Sequence, residues 1–317
     1  MSGVIAMMFG MISCEDYLDK SPESTVSSDE AFEDFDNFQG FTEELYYCIP
    51  DFSKHYWQSS FNWGDDEIIT SGKTWFMGYM VDNGNFWGWQ NEHDGWNAGW
   101  FDGGPHNTQN DDTHQKNLWP AAWYGIRKAN LGLENLDKLK NATQEEKDLI
   151  EGQLYFFRGW FHFMMIKYFG GLPYINEVLP SDEQLREPRL SYQEVADSVA
   201  RDFRRAADLL PNHWDQTTVG QRTSGNNRQR INKIMALGYL GKNYLYAGSP
   251  LMNRESQGSD TYNAEYCEKA ADAFAELLTL CENDEAPYEL VDFEDYSTIF
   301  YTLNDGMRVP GGTEAIF

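Results

Sequence analysis

Five tryptophans, Trp75, Trp87, Trp89, Trp96 and Trp100, stand among glycines, asparagines and aspartates rather than among aliphatic residues. From Phe86 to Gly104 the chain reads FWGWQNEHDGWNAGWFDGG, with no sustained recurrence of apolar positions every three or four residues. Such a stretch belongs on loops, not on a core-facing helix. Flat indole faces beside side-chain amides and carboxylates suit a ligand that is apolar on its faces and hydroxylated around its rim. Carbohydrate fits that description best. The residues expected to hold it are the five tryptophans for stacking, with Asp82, Asn83, Asn85, Asn91 and Asp94 to orient hydroxyl groups.

The surrounding charge narrows the ligand. From Trp57 to Gln115 there are nine carboxylates and a single base, Lys73, so a neutral sugar is favoured over an anionic one. Over all 317 residues, 51 acidic against 24 basic side chains leave a formal charge of -27, a field that repels nucleic acid and anionic headgroups. His93, His106 and His114 lie near Asp94, Asp102, Asp111 and Asp112, but the spacing matches neither HExxH nor an EF-hand loop. No cofactor is expected, with structural calcium on Asp102, Asp111 and Asp112 as the open alternative. There is no G-x-S-x-G, no phosphate-binding glycine loop and no cysteine placed beside an activating histidine, so the chain reads as a binding protein and not an enzyme. Two rival readings stand beside it. One is an all-α glycoside hydrolase, which needs two carboxylates roughly 5 to 9.5 Å apart; the other is a peptide-binding helical-repeat module.

Loops of this kind need a frame, and the rest of the chain supplies helices. With 41% hydrophobic and 15% aromatic residues it can bury a substantial core. Ser27 with Glu30, Thr143 with Glu146 and Ser191 with Glu194 are possible capping boxes. The first opens an apolar pattern through Ala31, Phe32, Phe35, Phe38 and Leu45; the second a long helix to Phe169, stopped by Gly170-Gly171-Leu172-Pro173; the third a helix ending at Pro211. Trp119, Trp123, Ile126 and Ala129 keep helical spacing, which assigns both tryptophans to the scaffold. Further helices are expected over Asn232 to Ala247 and Ala264 to Leu280, and a strand could start at Glu314 to Phe317. The fold class is therefore all-α, a tetratricopeptide-like helical-repeat scaffold with long irregular ligand-binding loops. Asn130 and Arg158, polar residues on partly apolar segments, are expected to satisfy buried groups. Cys267 and Cys281 on one helix lie about 21 Å apart, too far to bridge.

The N-terminus has its own character. Val4 to Ile12 is a short apolar run that closes on Cys14, as a lipoprotein signal does. The organisation read along the chain is a signal-peptide remnant at 1–13, a lipidated tether at 14–25 with Cys14 as the lipidation site, and a helical domain at 26–317 that is part of a longer protein. The tryptophan-rich loop insertion spans 57–115.

Several segments together resemble the SusD/RagB family. They are Cys14-Glu15-Asp16-Tyr17-Leu18-Asp19 with Pro22, Trp123 to Asn130, Phe157-Arg158-Gly159-Trp160, Tyr168 to Pro173, and Ile234 to Ala247. The resemblance implies a surface-exposed lipoprotein held to the outer membrane by a lipid anchor alone. It implies a helical scaffold of tetratricopeptide kind and a SusC-like TonB-dependent transporter as partner, to which captured oligosaccharide or polysaccharide is delivered. Glu15 and Asp16 resemble the family's acidic signal for the outer face. Ligand contacts in this family follow no fixed motif, so the site residues above rest on their chemistry alone.

Overall fold

The computed structural model describes residues 30–49, 84, 118–180, 186–297 and 316. Among the described residues all regular structure is helical. The helices are α1 (Phe35–Tyr47), α2 (Leu118–Glu134), α3 (Gln144–Phe169), α4 (Tyr192–Leu209), α5 (Lys233–Ala247), α6 (Pro250–Gln257) and α7 (Ala264–Glu282). None of them is long and apolar enough to cross a membrane.

Local chemistry sets most boundaries. Thr143 and Glu146 bond reciprocally at the start of α3, and Ser191 and Glu194 do the same at α4. At α1 the expectation shifts. Ser27 lies outside the described residues, Glu30–Phe32 is a short 3₁₀ turn, and α1 begins at Phe35. There the Asp34 carboxylate accepts from the Asn37 N–H at 2.9 Å, a cap nearer the apolar face of Phe35, Phe38 and Leu45. Helix α6 was not anticipated. Its signals are present in Ser249 as N-cap, Pro250 in the first turn and Gly258 at φ +73°, but eight residues hold too little periodicity to reveal a face.

Each long helix packs on its sequence neighbour, and the facing pairs show every such packing to be antiparallel. Phe41 meets Lys128 and Phe32 meets Lys138 across α1 and α2 and the turn after it. Gly125 faces Phe161 and Gly132 faces Leu154 across α2 and α3; Gly152 faces Leu210 and Gly159 faces Phe203 across α3 and α4. Asn243 donates to the Ala196 carbonyl across α4 and α5, and Gly241 faces Phe274 across α5 and α7. The glycines allow this proximity, since a Cβ on Gly125 would lie 2.2 Å from the Phe161 ring and one on Gly241 2.6 Å from Phe274.

Helix α3 is the centre of the array. It is buried almost all round from Leu149 to Ile166, because α1, α2, α4 and α5 cover it on different sides. Phe156, Phe157, Trp160, Phe161 and Phe163 are fully buried there, each contributing roughly 1.5–3 kcal/mol of apolar burial. The helix stops where the sequence indicated. Gly170 adopts φ +74°, and a Cβ on Gly171 would collide with the Leu190 carbonyl at 2.0 Å. The Arg189 guanidinium donates to the carbonyls of Phe169 and Gly171 and so satisfies the end of the helix.

Cys267 and Cys281 both lie on α7 and, like buried Cys48, form no disulfide among the described residues. Of the C-terminal run expected to begin a strand, Ile316 is the one described residue; it is irregular and packs against the core cluster.

Candidate functional site

Because α1 and α2 are antiparallel, Ile49 and Leu118 lie at the same end of the array. Residues 50–117, which contain the tryptophan-rich insertion, therefore leave and rejoin the described helices at that end. The end of α3 and the start of α4 are there too. A rigid surface of aromatic rings occupies it. Trp119 meets Trp123 edge to face at 5.6 Å between centroids and Phe169 at 4.9 Å, and Trp123 meets His162 at 6.3 Å. Trp123 packs against the core as its spacing indicated. Trp119 does not, because 36% of it is exposed. Helical spacing placed it with the scaffold, yet it sits in the first turn of α2, at the rim where the helix stack ends.

Beneath this surface, buried polar groups tie the 170–180 connection to three helices. Arg158 on α3 donates to both carboxylate oxygens of Asp202 on α4, at 2.9 and 2.6 Å, and to the Asn130 side-chain oxygen at 3.1 Å. The Asn130 amide donates to the carbonyls of Ile175 and Glu177 at 3.1 and 3.0 Å. The Tyr174 hydroxyl donates to Asp202. His162 accepts from the Ile175 N–H through Nε2 at 3.1 Å, which assigns its proton to Nδ1, 2.8 Å from the Arg158 carbonyl.

The electrostatics of this cluster follow from burial. Desolvation opposes the Arg158 cation, but the hydrogen bonds and charge of Asp202 outweigh it and hold the guanidinium above its ordinary value. Burial pushes Tyr174 well above the usual phenol range, and the Asp202 charge adds to the shift. His162 is pushed down to about 3 by desolvation and by the Arg158 charge, so it is a neutral structural group at physiological pH. Asn130 and Arg158 thus do what their positions on apolar helices implied. They hold the connection in place, and every nitrogen of the Arg158 guanidinium is already engaged.

The structure brings none of the sequence-predicted contact residues into view. Trp75, Trp87, Trp89, Trp96, Trp100, Asp82, Asn83, Asn85, Asn91 and Asp94 lie outside the described residues, as do Cys14 and the carboxylates Asp102, Asp111 and Asp112. Gly84, between Asn83 and Asn85, is described, and its φ of +69° is that of a turn. Among the described residues no group of three or more histidine, cysteine or acidic side chains could hold a metal ion.

Comparison with known proteins bears on this arrangement directly. A SusD-like family model, described as starch-binding and associating with the outer membrane, matches residues 16–245. The chain belongs to the SusD-like family. Solved SusD-like structures share the fold. A SusD superfamily protein from Bacteroides vulgatus aligns with a TM-score of 0.57 at 16% identity, over 90% of this chain and 54% of its own. A SusD-like protein from Bacteroides fragilis aligns with a TM-score of 0.52 at 20% identity, over 88% of this chain and 44% of its own. The chain thus spans about half the length of the SusD-like structures it matches. Comparison with curated proteins found no match. The SusD-like match begins two residues after Cys14 and runs through the tryptophan-rich insertion to Leu245 on α5, so the insertion lies inside the family region.

Proposed function

We propose that this chain is the capture part of a cell-surface glycan-binding lipoprotein, one that holds oligosaccharide without cleaving it and passes it to a TonB-dependent outer-membrane transporter of the SusC kind. The observation that carries the reading is the SusD-like match taken with the tryptophan-rich insertion inside it. The helical array acts as a rigid mount: α3 is locked on several sides, and the insertion springs from one end of it. Trp75, Trp87, Trp89, Trp96 and Trp100 stack on sugar rings, while Asp82, Asn83, Asn85, Asn91 and Asp94 hold hydroxyls. An open platform buries little of each sugar, so affinity per unit is modest and a long chain gains by engaging several rings at once. Cys14 carries the lipid that tethers the domain outside the cell.

Starch is the first glycan to test, followed by an array of neutral polysaccharides. Replacing Trp87, Trp89, Trp96 and Trp100 together by alanine should abolish retention of the bound glycan in affinity electrophoresis, since each stacked ring contributes about 0.5–1.5 kcal/mol beyond its area. Unchanged retention would place the site elsewhere. Release of shorter sugars during the incubation would establish hydrolysis instead.

A further inference from the structure

A polar recess lies toward the end of the scaffold opposite Ile49 and Leu118. It is a cavity of about 260 Å³ between one face of α1 and the connection from α4 to α5. Asp36, Gly40 and Glu43 line it from α1; Arg222, Arg230 and the buried ring of Trp214 line it from the connection.

The connection is built to hold a fixed shape. The Asp215 carboxylate accepts from the Gly225 N–H at 2.9 Å and from the Asn227 amide. The Thr217 hydroxyl oxygen accepts from the Gly220 N–H at 2.8 Å, and the Trp214 indole donates to the Ile231 carbonyl at 2.7 Å. The Thr218 N–H reaches Glu145 on α3 at 2.9 Å. A loop whose backbone is tied down this way presents its remaining side chains at little further ordering cost.

Those remaining side chains are unspent. Arg222 is 58% exposed and makes no side-chain hydrogen bond among the described residues; its nearest carboxylate oxygens, on Asp36 and Glu146, are 3.7 and 3.9 Å away. Arg230 lies with its guanidinium 4.9 Å from the Trp214 ring centroid and pairs with Glu43 at 2.9 Å, which leaves other N–H groups to give. Two cations and two carboxylates line one recess, so its net charge is near zero. An anionic ligand would meet Asp36 and Glu43, and a cationic one would meet both arginines. A ligand made of hydroxyl groups can accept from the guanidinium forks and donate to the carboxylates at once. The volume lies just below the usual span of about 300–1,000 Å³ for ligand pockets, the scale of one sugar unit rather than a long chain.

We infer that this recess is a second saccharide subsite, taking a single neutral sugar unit between α1 and the Arg222–Arg230 connection. Its ligand class rests on the glycan-capture reading, whereas its location rests on the geometry of Arg222, Arg230, Asp36 and Glu43.

Phenylglyoxal footprinting with mass spectrometry tests it, using the full chain and a panel of neutral mono- and disaccharides. Arg254, also 58% exposed and remote from the recess, is the internal control. A saturating sugar should slow modification of Arg222 at least fivefold and leave Arg254 unchanged. Gly40→Leu puts a side chain where a Cβ meets nothing within 4 Å, and it should remove the protection without lowering Tm. Asp36→Ala, on a side chain that is 85% exposed, should weaken protection at least threefold and serves if the first variant misfolds. Failure of every sugar to protect Arg222, while the chain still retains glycan, would overturn the second subsite and leave the capture reading standing. Protection by acetate or amino acids but not by sugars would overturn its ligand class. Loss of all glycan retention would sink both readings.

Discussion

Arginine meets carboxylate in two places in this molecule, with opposite outcomes. Arg158 is buried, and each of its three guanidinium nitrogens is bonded, to Asp202, to Asn130 or to the Asn176 carbonyl. Arg222 is exposed, and no carboxylate among the described residues comes within hydrogen-bond distance of its guanidinium. A buried charge must be paired and hydrogen-bonded or it destabilises the fold, so Arg158 can only be structural. A charge at the rim of an open recess faces no such demand and keeps its donors for something else. Residue type alone does not separate scaffold from site; the degree of satisfaction does.

The sharpest way to break that contrast is to remove Arg158. Arg158→Ala leaves Asp202 buried with Tyr174 as its remaining side-chain donor, and should cost about 3–5 kcal/mol in urea unfolding. A loss under 1 kcal/mol would mean that the cluster is wetter than its burial indicates.

The pH dependence probes the same cluster through His162. The folded chain holds this group neutral down to about pH 3, whereas the unfolded chain protonates it near 6.5. The unfolded state therefore binds the extra proton between these values. The contribution is fully present above about pH 6.5 and is lost as pH falls toward 3, at up to about 1.4 kcal/mol per pH unit. In His162→Gln that part of the slope should vanish; an unaltered slope would assign acid sensitivity to the carboxylates instead.

At the recess the effects shrink. Arg230→Ala removes a contact with Trp214 and a partly exposed ion pair with Glu43, and should cost roughly 1 kcal/mol by thermal unfolding. Arg222→Ala should stay within about 0.5 kcal/mol of the parent, as expected for an exposed group with no bonded partner. A large loss there would make Arg222 structural after all and erase the contrast.

Much of the scaffold was legible because its signals are local. Thr143 and Ser191 announce their helices within four residues, and Gly170-Gly171 announces a stop through a positive φ that other residues avoid. Asn130 and Arg158 were legible as structural because a polar residue on an apolar helix has few other fates. Besides α6, three features escaped. The start of α1 is capped by Asp34, a position the sequence reading did not single out. Trp119 kept the helical period but fell at the rim, since periodicity reports a direction and not a depth. The recess joins residues near 40 to residues near 222, and no pattern in either segment names the other.

By itself, then, the sequence determined the helices, their caps, the aperiodic tryptophan insertion and the resemblance to SusD-like proteins. These are properties of neighbouring residues or of order along one chain. Only the tertiary structure decided which partners engage Arg158, that Arg222 is left with open donors, and that Trp119 lies at the rim. It also brought the two ends of the insertion to the same end of the array. Each depends on which distant segments pack together, and the antiparallel stacking of α1 to α5 and α7 is what sets those distances.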